Sequence, residues 1–425
     1  MSDQDIYFAA QTGDIPRLTS LINSNAAVDI PDEDGWTPLH HALGNRDSGA
    51  VTLLVDAKAS FVTGEDRNAS QLLSAAACGD VASIESLVKE ATNVNMSDEI
   101  VQATALHLAA MCGHSGAVQV LVDAKASLDL QDRNGYTPMH WAADNGHSDC
   151  VQVLVDAKAS LSIQTNSGYT PMHHAAKNDH SGAMQVLVDA KASVSVQDNF
   201  GMTPMHVAAV EGHSGAVQVL VDAKASVDQN TDGYTPIHHA AQNGHSDVVQ
   251  VLADAKANVN ARGRRGFSPL HHAAENGHHG TVQVLVDAKA NVDGQDDSGY
   301  TPMHYAAQYG HKDIVHALVD SKASIHLPDR YGRTPMHQAA QEGHDGVVQV
   351  LIDANASVDL QDRHRYTALH LAAQEGHIGT VQVLVDANAN LNLQDEDQCT
   401  PLHRAAQNGH ITAVQVLAAS GADVA

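Results

Sequence analysis

The stretch Asp132–Gln164 reads DRNGYTPMHWAADNGHSDCVQVLVDAKASLSIQ, and its punctuation decides the local structure. DRNG is turn chemistry, because glycine supplies positive φ and asparagine tolerates it. Thr137 then suits a helix N-cap, and Pro138 the first helical position, where no N–H is missed. A short first helix over about Pro138–Asn145 follows, stopped at Gly146. Beyond it, Val151, Leu154 and Val155 recur at i, i+3 and i+4, the apolar stripe of a second helix about ten residues long. VQVLV also alternates and is rich in β-branched residues, which favours a strand by propensity. A strand here has no partner within the 33-residue stretch, so the helical phase prevails.

The stretch is one copy of a repeat. Copies are anchored at Thr37, Thr104, Thr137, Thr170, Thr203, Thr235, Ser268, Thr301, Thr334, Thr367 and Thr400, 33 residues apart from Thr104 onward except for one interval of 32. The gap after Thr37 holds a degenerate copy anchored at Ser70, and IYFAAQTGD after Gln4 stands in for LHxAAxxGH. Thirteen repeats fill the 425 residues, so one continuous array over 1–425 is expected, without a second domain. A period of this length marks a solenoid or similar array, whose repeats bury their apolar faces only against neighbours. Residues 1–36, lacking TPxH and carrying polar Asn23, Ser24 and Asn25, read as an N-terminal capping repeat. Residues 395–425, ending in AASGADVA, read as a C-terminal one. Residues 65–98 have lost TPxH, read AAACGD in place of AAxxGH and precede a one-residue insertion. They read as a second array start and a flexible joint.

Composition excludes several classes. Lys plus Arg number 23 against 50 Asp plus Glu, a formal charge of −27, the reverse of what a polyphosphate or an acidic membrane attracts. Aromatics make up 4%, so Ala, Val and Leu must build the core. No apolar run is long enough for a membrane span, and the N-terminus does not read as a secretory signal. Cys78, Cys112, Cys150 and Cys399 are far apart without a CxxC pair, which fits reduced thiols in a cytoplasmic protein.

The turn, the two antiparallel helices, the period and TPLHxA together resemble ankyrin repeats over essentially the whole chain. The resemblance implies an all-α solenoid of stacked helix-turn-helix repeats with projecting β-turn fingers. It also implies protein binding on the concave face, by a scaffold, adaptor or regulatory subunit without catalysis or cofactor. One departure is the residue after the second helix, usually glycine in the family. Here it is Lys58, Lys125, Lys158, Lys191, Lys224, Lys256, Lys289 or Lys322, then Asn355 and Asn388, with Gly421 the match. A left-handed lysine costs on the order of 1 kcal/mol, so either the turn differs from the family's or the array carries strain.

The 29 histidines invite a metal or catalytic reading. Eleven stand in TPxH and ten in the GH that follows the first helix, slots that are structural in the family. His41, His174, His239 and His272 directly follow a TPxH histidine, and neighbours about 100° apart on a helix cannot close on one metal. No metal site is expected. GxSxG, a phosphate loop and HExxH are all missing, so no enzyme is expected either. Buried imidazoles that must charge imply an acid-sensitive stack.

Candidate binding residues are those that vary. Trp36, Tyr136, Tyr169, Tyr234, Phe267, Tyr300 and Tyr366 stand immediately before their anchors, a slot the resemblance places on the finger toward the concave face. Tyr309 belongs to the same groove. Such aromatics either contact a partner at low entropic cost or stiffen the row against their neighbours. Asp144, Glu211, Glu275, Glu342 and Glu375 make the groove acidic, steering in a basic or mixed-charge polypeptide. Arg262, Arg264 and Arg265 on one finger form a local exception, either an acid-binding tip or a solvated one. The protein is expected to be a monomer. A second functional reading is a sensor or modification substrate: the family is commonly hydroxylated on an asparagine in the loop that Asn95, Asn260 and Asn392 occupy here.

Overall fold

A computed structural model describes residues 4–61, 67–90, 92–228 and 233–423. Among the described residues are 26 α-helices, one 3-10 turn and a single isolated β-bridge, Ser97 to Thr104. The chain is all-α, and it forms two compact bodies, Met1–Ser226 and Val227–Ala425. Within each body the helices come in antiparallel pairs. From Ala105–Met111 to Pro204–Glu211 in one body, and from Pro236–Gln242 to Pro401–Gln407 in the other, first helices stack on first helices and second on second.

In the repeat that opened the sequence reading, the helices are Pro138–Asp144 and Ser148–Asp156. VQVLV is helical because its residues divide by face rather than by alternation. Cys150, Val151 and Leu154 are fully buried, whereas Val155 is half-buried. Gln152 points outward and donates to Asp156 one turn on at 2.9 Å, a bond repeated by Gln119, Gln185, Gln218, Gln283, Gln349 and Gln382. Each buried Leu of this stripe contributes roughly 2 kcal/mol of apolar burial.

Fingers are tied to one another by backbone bonds such as Asn166 N–H to Asn134 O at 3.0 Å and Arg363 N–H to Tyr331 O at 2.9 Å. Between them, Gln131 donates both to Gly135 O in its own turn and to Gln164 O on the next finger. The loop asparagines serve the same stitching. Asn95 Oδ1 accepts from Ser127 N–H at 2.8 Å as Asp129 Oδ1 accepts from Ser160 N–H at 2.9 Å, so Asn and Asp are interchangeable acceptors there.

The lysine turns are left-handed. Lys58, Lys125, Lys158, Lys191, Lys224, Lys256, Lys289 and Lys322 have φ between 60° and 71°, so the geometry is that of a glycine C-cap and the array carries the strain. The degenerate repeat begins its helix at Arg67 and runs to Cys78, longer than any other first helix described. Leu73 occupies its TPxH histidine slot, and Asp80 caps the second helix by accepting from Ser83 N–H. Residues 65, 66 and 91 of the expected joint lie outside the described residues.

Replacing Lys125, Lys158 and Lys191 with glycine relieves the left-handed strain but loosens the unfolded chain, leaving a gain of about 0.5 kcal/mol per site. A urea titration of the triple variant checks this through a raised midpoint. A lowered midpoint would mean that the lysine charge at the helix C-terminus outweighs the strain.

Candidate functional site

The TPxH imidazole carries the contact between repeats. The ring of His140 folds back so that Nδ1 accepts from Thr137 N–H at 3.1 Å, which leaves the proton on Nε2. That Nε2–H donates to Tyr169 O of the following repeat at 3.1 Å. His107, His173, His271, His304, His337 and His370 make the same pair of bonds. Only the neutral ring satisfies both, because a second proton at Nδ1 would face an N–H. Burial accordingly pushes His140 down to about 3 and His173, His238 and His304 down to about 4.

The GH histidines reach the other way. His147 Nε2 donates to Met111 O of the preceding repeat at 2.8 Å, and its ring lies against Gly113, where a Cβ would meet ring atoms at 2.7 Å. That glycine is needed twice, for close approach and for its φ of 77°.

A finger aspartate orients the residue that follows TPxH. Asp132 Oδ1 accepts from Asn134 and Tyr136 N–H, both at 2.8 Å, closing the turn. Its Oδ2 accepts from Trp141 Nε1 at 3.0 Å. Tyr305 and Arg404 make the equivalent bond to Asp296 and Asp395, and His41 pairs with Asp32. Where the finger lacks the aspartate, the donor is redirected. In the next repeat Thr165 replaces it, and His174 Nδ1 instead donates to Asp144 Oδ1 at 3.0 Å. Gly263 replaces it on the arginine finger, and His272 is left buried, at 5% exposure, with neither ring nitrogen hydrogen-bonded among the described residues. Glu275 Oε2 stands 3.9 Å from its Nδ1, out of hydrogen-bond range.

The aromatic slot packs before it projects. Tyr136, Tyr169, Tyr234, Tyr300 and Tyr366 are half-buried and Phe267 is buried, each against its own TPxH histidine at 5.2 to 5.8 Å between ring centroids. Several also touch the following repeat: Tyr136 lies 4.8 Å from His174, Tyr234 5.4 Å from His272 and Phe267 5.0 Å from Tyr305. Trp36, half-buried, leans on His41. Tyr309 stands apart, 49% exposed. Arg262 turns sideways to the next finger, donating to Gln295 O and Asp297. Arg264 and Arg265 lie in the 3-10 turn Arg264–Gly266, both exposed. His238 and His272, from adjacent repeats, make an edge-on ring contact at 6.1 Å. No group of three His, Cys, Asp or Glu arranged to hold a metal occurs among the described residues.

Tertiary structure adds residues that the pattern alone did not single out for a site. Tyr305, Gln338 and Arg333 interlock beneath the aromatic row, with Gln338 Nε2 donating to the Tyr300 hydroxyl at 2.8 Å and Arg333 Nε to Asp362 at 3.2 Å. Arg404 lies over the Tyr366 ring at 5.2 Å. All follow or flank a TPxH histidine, so their position in the repeat was the available signal.

The fold and the imidazole-linked stacking define an array of helix-turn-helix repeats. The family model for ankyrin repeats in three copies matches residues 6–98, 72–165, 106–198, 157–231, 224–296, 270–362 and 336–425. The chain belongs to the ankyrin repeat family. It is similar to the human transient receptor potential cation channel subfamily A member 1, with 32% identity over 29% of this chain and 11% of that protein. It is also similar to neurogenic locus notch homolog protein 1 of Xenopus tropicalis, with 29% identity over 31% of this chain and 5% of that one. An ankyrin repeat, PH and SEC7 domain containing protein, secG, of Dictyostelium discoideum is 39% identical over 13% of this chain and 6% of its own. The matches therefore span about a tenth or less of these relatives.

Two outcomes follow. A histidine whose folded pKa lies below the unfolded value of about 6.5 contributes stability that is complete above that pH and lost as pH falls toward the folded value. His140, His173, His238 and His304 thus each cost about 1 kcal/mol between pH 7.5 and 5.5, and thermal melts should fall across that window; unchanged melts would refute the neutral-ring requirement. Second, His272→Leu removes two unsatisfied nitrogens and copies Leu108 and Leu371 of other repeats. It should stabilise the second body by about 1 kcal/mol in urea unfolding.

Proposed function

We propose that this chain is a non-catalytic protein-binding module that takes a polypeptide along the aromatic slot and the first helices. Ankyrin repeats are generally protein-interaction modules. The observation that carries the finer reading is the aromatic slot itself. Tyr136 and Tyr169 in one body, and Tyr234, Tyr300 and Tyr366 in the other, are immobilised by ring stacking yet keep part of their surface in solvent. Rigid, half-exposed tyrosines lose little entropy on contact. Phe267, Trp36 and exposed Tyr309 extend the set, and Arg264 and Arg265 offer a local contact for acidic groups.

The net charge of −27 and the acidic first-helix positions favour a basic or mixed-charge partner. Free thiols at all four cysteines agree with a reducing compartment such as the cytoplasm, and no described helix is long and apolar enough to cross a membrane. On this reading, one array runs through the chain and restarts at Arg67–Cys78, where Asp80 caps in place of a GH histidine. Exposed Asn260 and Asn392 are open to a modifying enzyme, which leaves a substrate role as the second reading.

The test compares capture from native lysate by the parent and by a variant with Ala at Tyr136, Tyr169, Tyr234, Tyr300 and Tyr366. Thermal melts first establish that the variant is folded. A protein held by the parent and lost by the folded variant supports the site. A partner held equally by both moves binding off the aromatic slot.

A further inference from the structure

The first two repeats do not stack on the third as the others stack. His107, His140, His173, His271, His304, His337 and His370 donate to the repeat that follows, as His140 does to Tyr169, 29 residues on. His40 reaches 58 residues on, and its Nε2 meets Asp98 Oδ2 at 3.1 Å with both side chains fully buried. The repeat between has Leu73 in the histidine slot, so no imidazole of its own reaches the next finger. The second helix of its pair, Ser48–Asp56, packs on Arg67–Cys78, and Thr52 Oγ1 lies 3.9 Å from Cys112 Sγ. The first two repeats thereby reach past the third to the repeat anchored at Thr104.

Arg46 is the tip of that contact. It stands where most repeats have the glycine of GH, and it keeps the left-handed φ of 55°, a strained state for a non-glycine residue. Its guanidinium lies over the Tyr136 ring at 4.1 Å, and its Nε donates to Asp144 Oδ2 at 2.8 Å. The receiving groups are organised without it. Asp144 Oδ1 accepts from His174 Nδ1 at 3.0 Å and from Asn178 Nδ2 at 2.9 Å, while Tyr136 is held between His140 and His174. An aromatic platform beside a fixed carboxylate suits a planar guanidinium, which can stack and hydrogen-bond in its own plane at once. An ammonium cannot do both.

We infer that Tyr136, Asp144 and His174 form an arginine-recognition site at the aromatic slot, filled in cis by Arg46, for which an arginine-bearing polypeptide competes in trans. The inference rests on the aromatic-slot reading above and names the chemistry of one part of it. The occupant is read from the chain itself: Arg46 shows which side chain the site accepts.

The test uses the full chain and ligand-detected NMR titrations with N-acetylarginine amide and N-acetyllysine amide. Arg46→Ala vacates the site, and the arginine amide should bind it about tenfold more tightly than it binds the parent, the scale of one cation–π contact with its charged hydrogen bond. The lysine amide should show no such gain, and Arg46→Ala with Tyr136→Ala should lose it. Should Arg46→Ala fail to fold, Arg46→Lys keeps the charge but not the planar fit, and the arginine amide should still bind it more tightly than the parent. Equal binding to parent and variants, or an equal gain for the lysine amide, overturns the inference. If that happens while the five-tyrosine variant still loses its captured partner, the aromatic-slot reading stands and only the arginine site falls. If the partner is retained as well, both fall.

Discussion

The whole array depends on a neutral imidazole with both nitrogens committed. In TPxH the ring accepts from its own N-cap N–H and donates to a carbonyl of the next finger. One side chain thus completes a helix start and joins two repeats. Either bond alone is worth about 1 kcal/mol. Their recurrence at fixed register turns a short helix pair, too small to bury its apolar face, into a stack. The GH histidine answers in the opposite direction, from His147 back to Met111. Neighbouring repeats are therefore bonded from both sides of the helix pair. The arrangement leaves no room for a second proton, and acidity acts together on all the joints built this way.

A second layer of organisation hangs on the finger aspartate. One oxygen closes the turn and the other accepts from the residue after TPxH, which is why Trp141, Tyr305 and Arg404 can share one slot despite their different chemistry. The exceptions are informative because the donor must then find another partner. Thr165 sends His174 to Asp144 and thereby builds the carboxylate on which Arg46 rests. Gly263 cannot be an aspartate without displacing neighbours, since a Cβ there would lie 2.9 Å from Gly233 O. His272 has no carboxylate on that finger to receive its proton.

Much of this was legible in the chain. The period, the Thr-Pro helix starts and the glycine stops follow from local rules that each repeat states again, and the family resemblance implied the structural duty of both histidine slots. The helical reading of VQVLV stood against strand propensity, and Gln152 pairing with Asp156 on the outer face gives the reason. The aromatic row was legible as a row. Its stacking on histidines of the same and following repeats was not, because ring orientation depends on what the next repeat presents.

The sequence by itself determined the repeat, its helices and the residue types at each joint, because those rest on bonds spanning three or four residues and on a fixed spacing. Tertiary structure decided the rest. It settled that the lysine turns are left-handed and strained, since that choice depends on packing the following loop. It also settled that His40 passes over a whole repeat to Asp98 and that Arg46 lies on Tyr136 and Asp144. Contacts of that range depend on how a degenerate repeat with Leu73 in its histidine slot stacks. No local pattern encodes this, because the missing bond says only that the usual neighbour is not held.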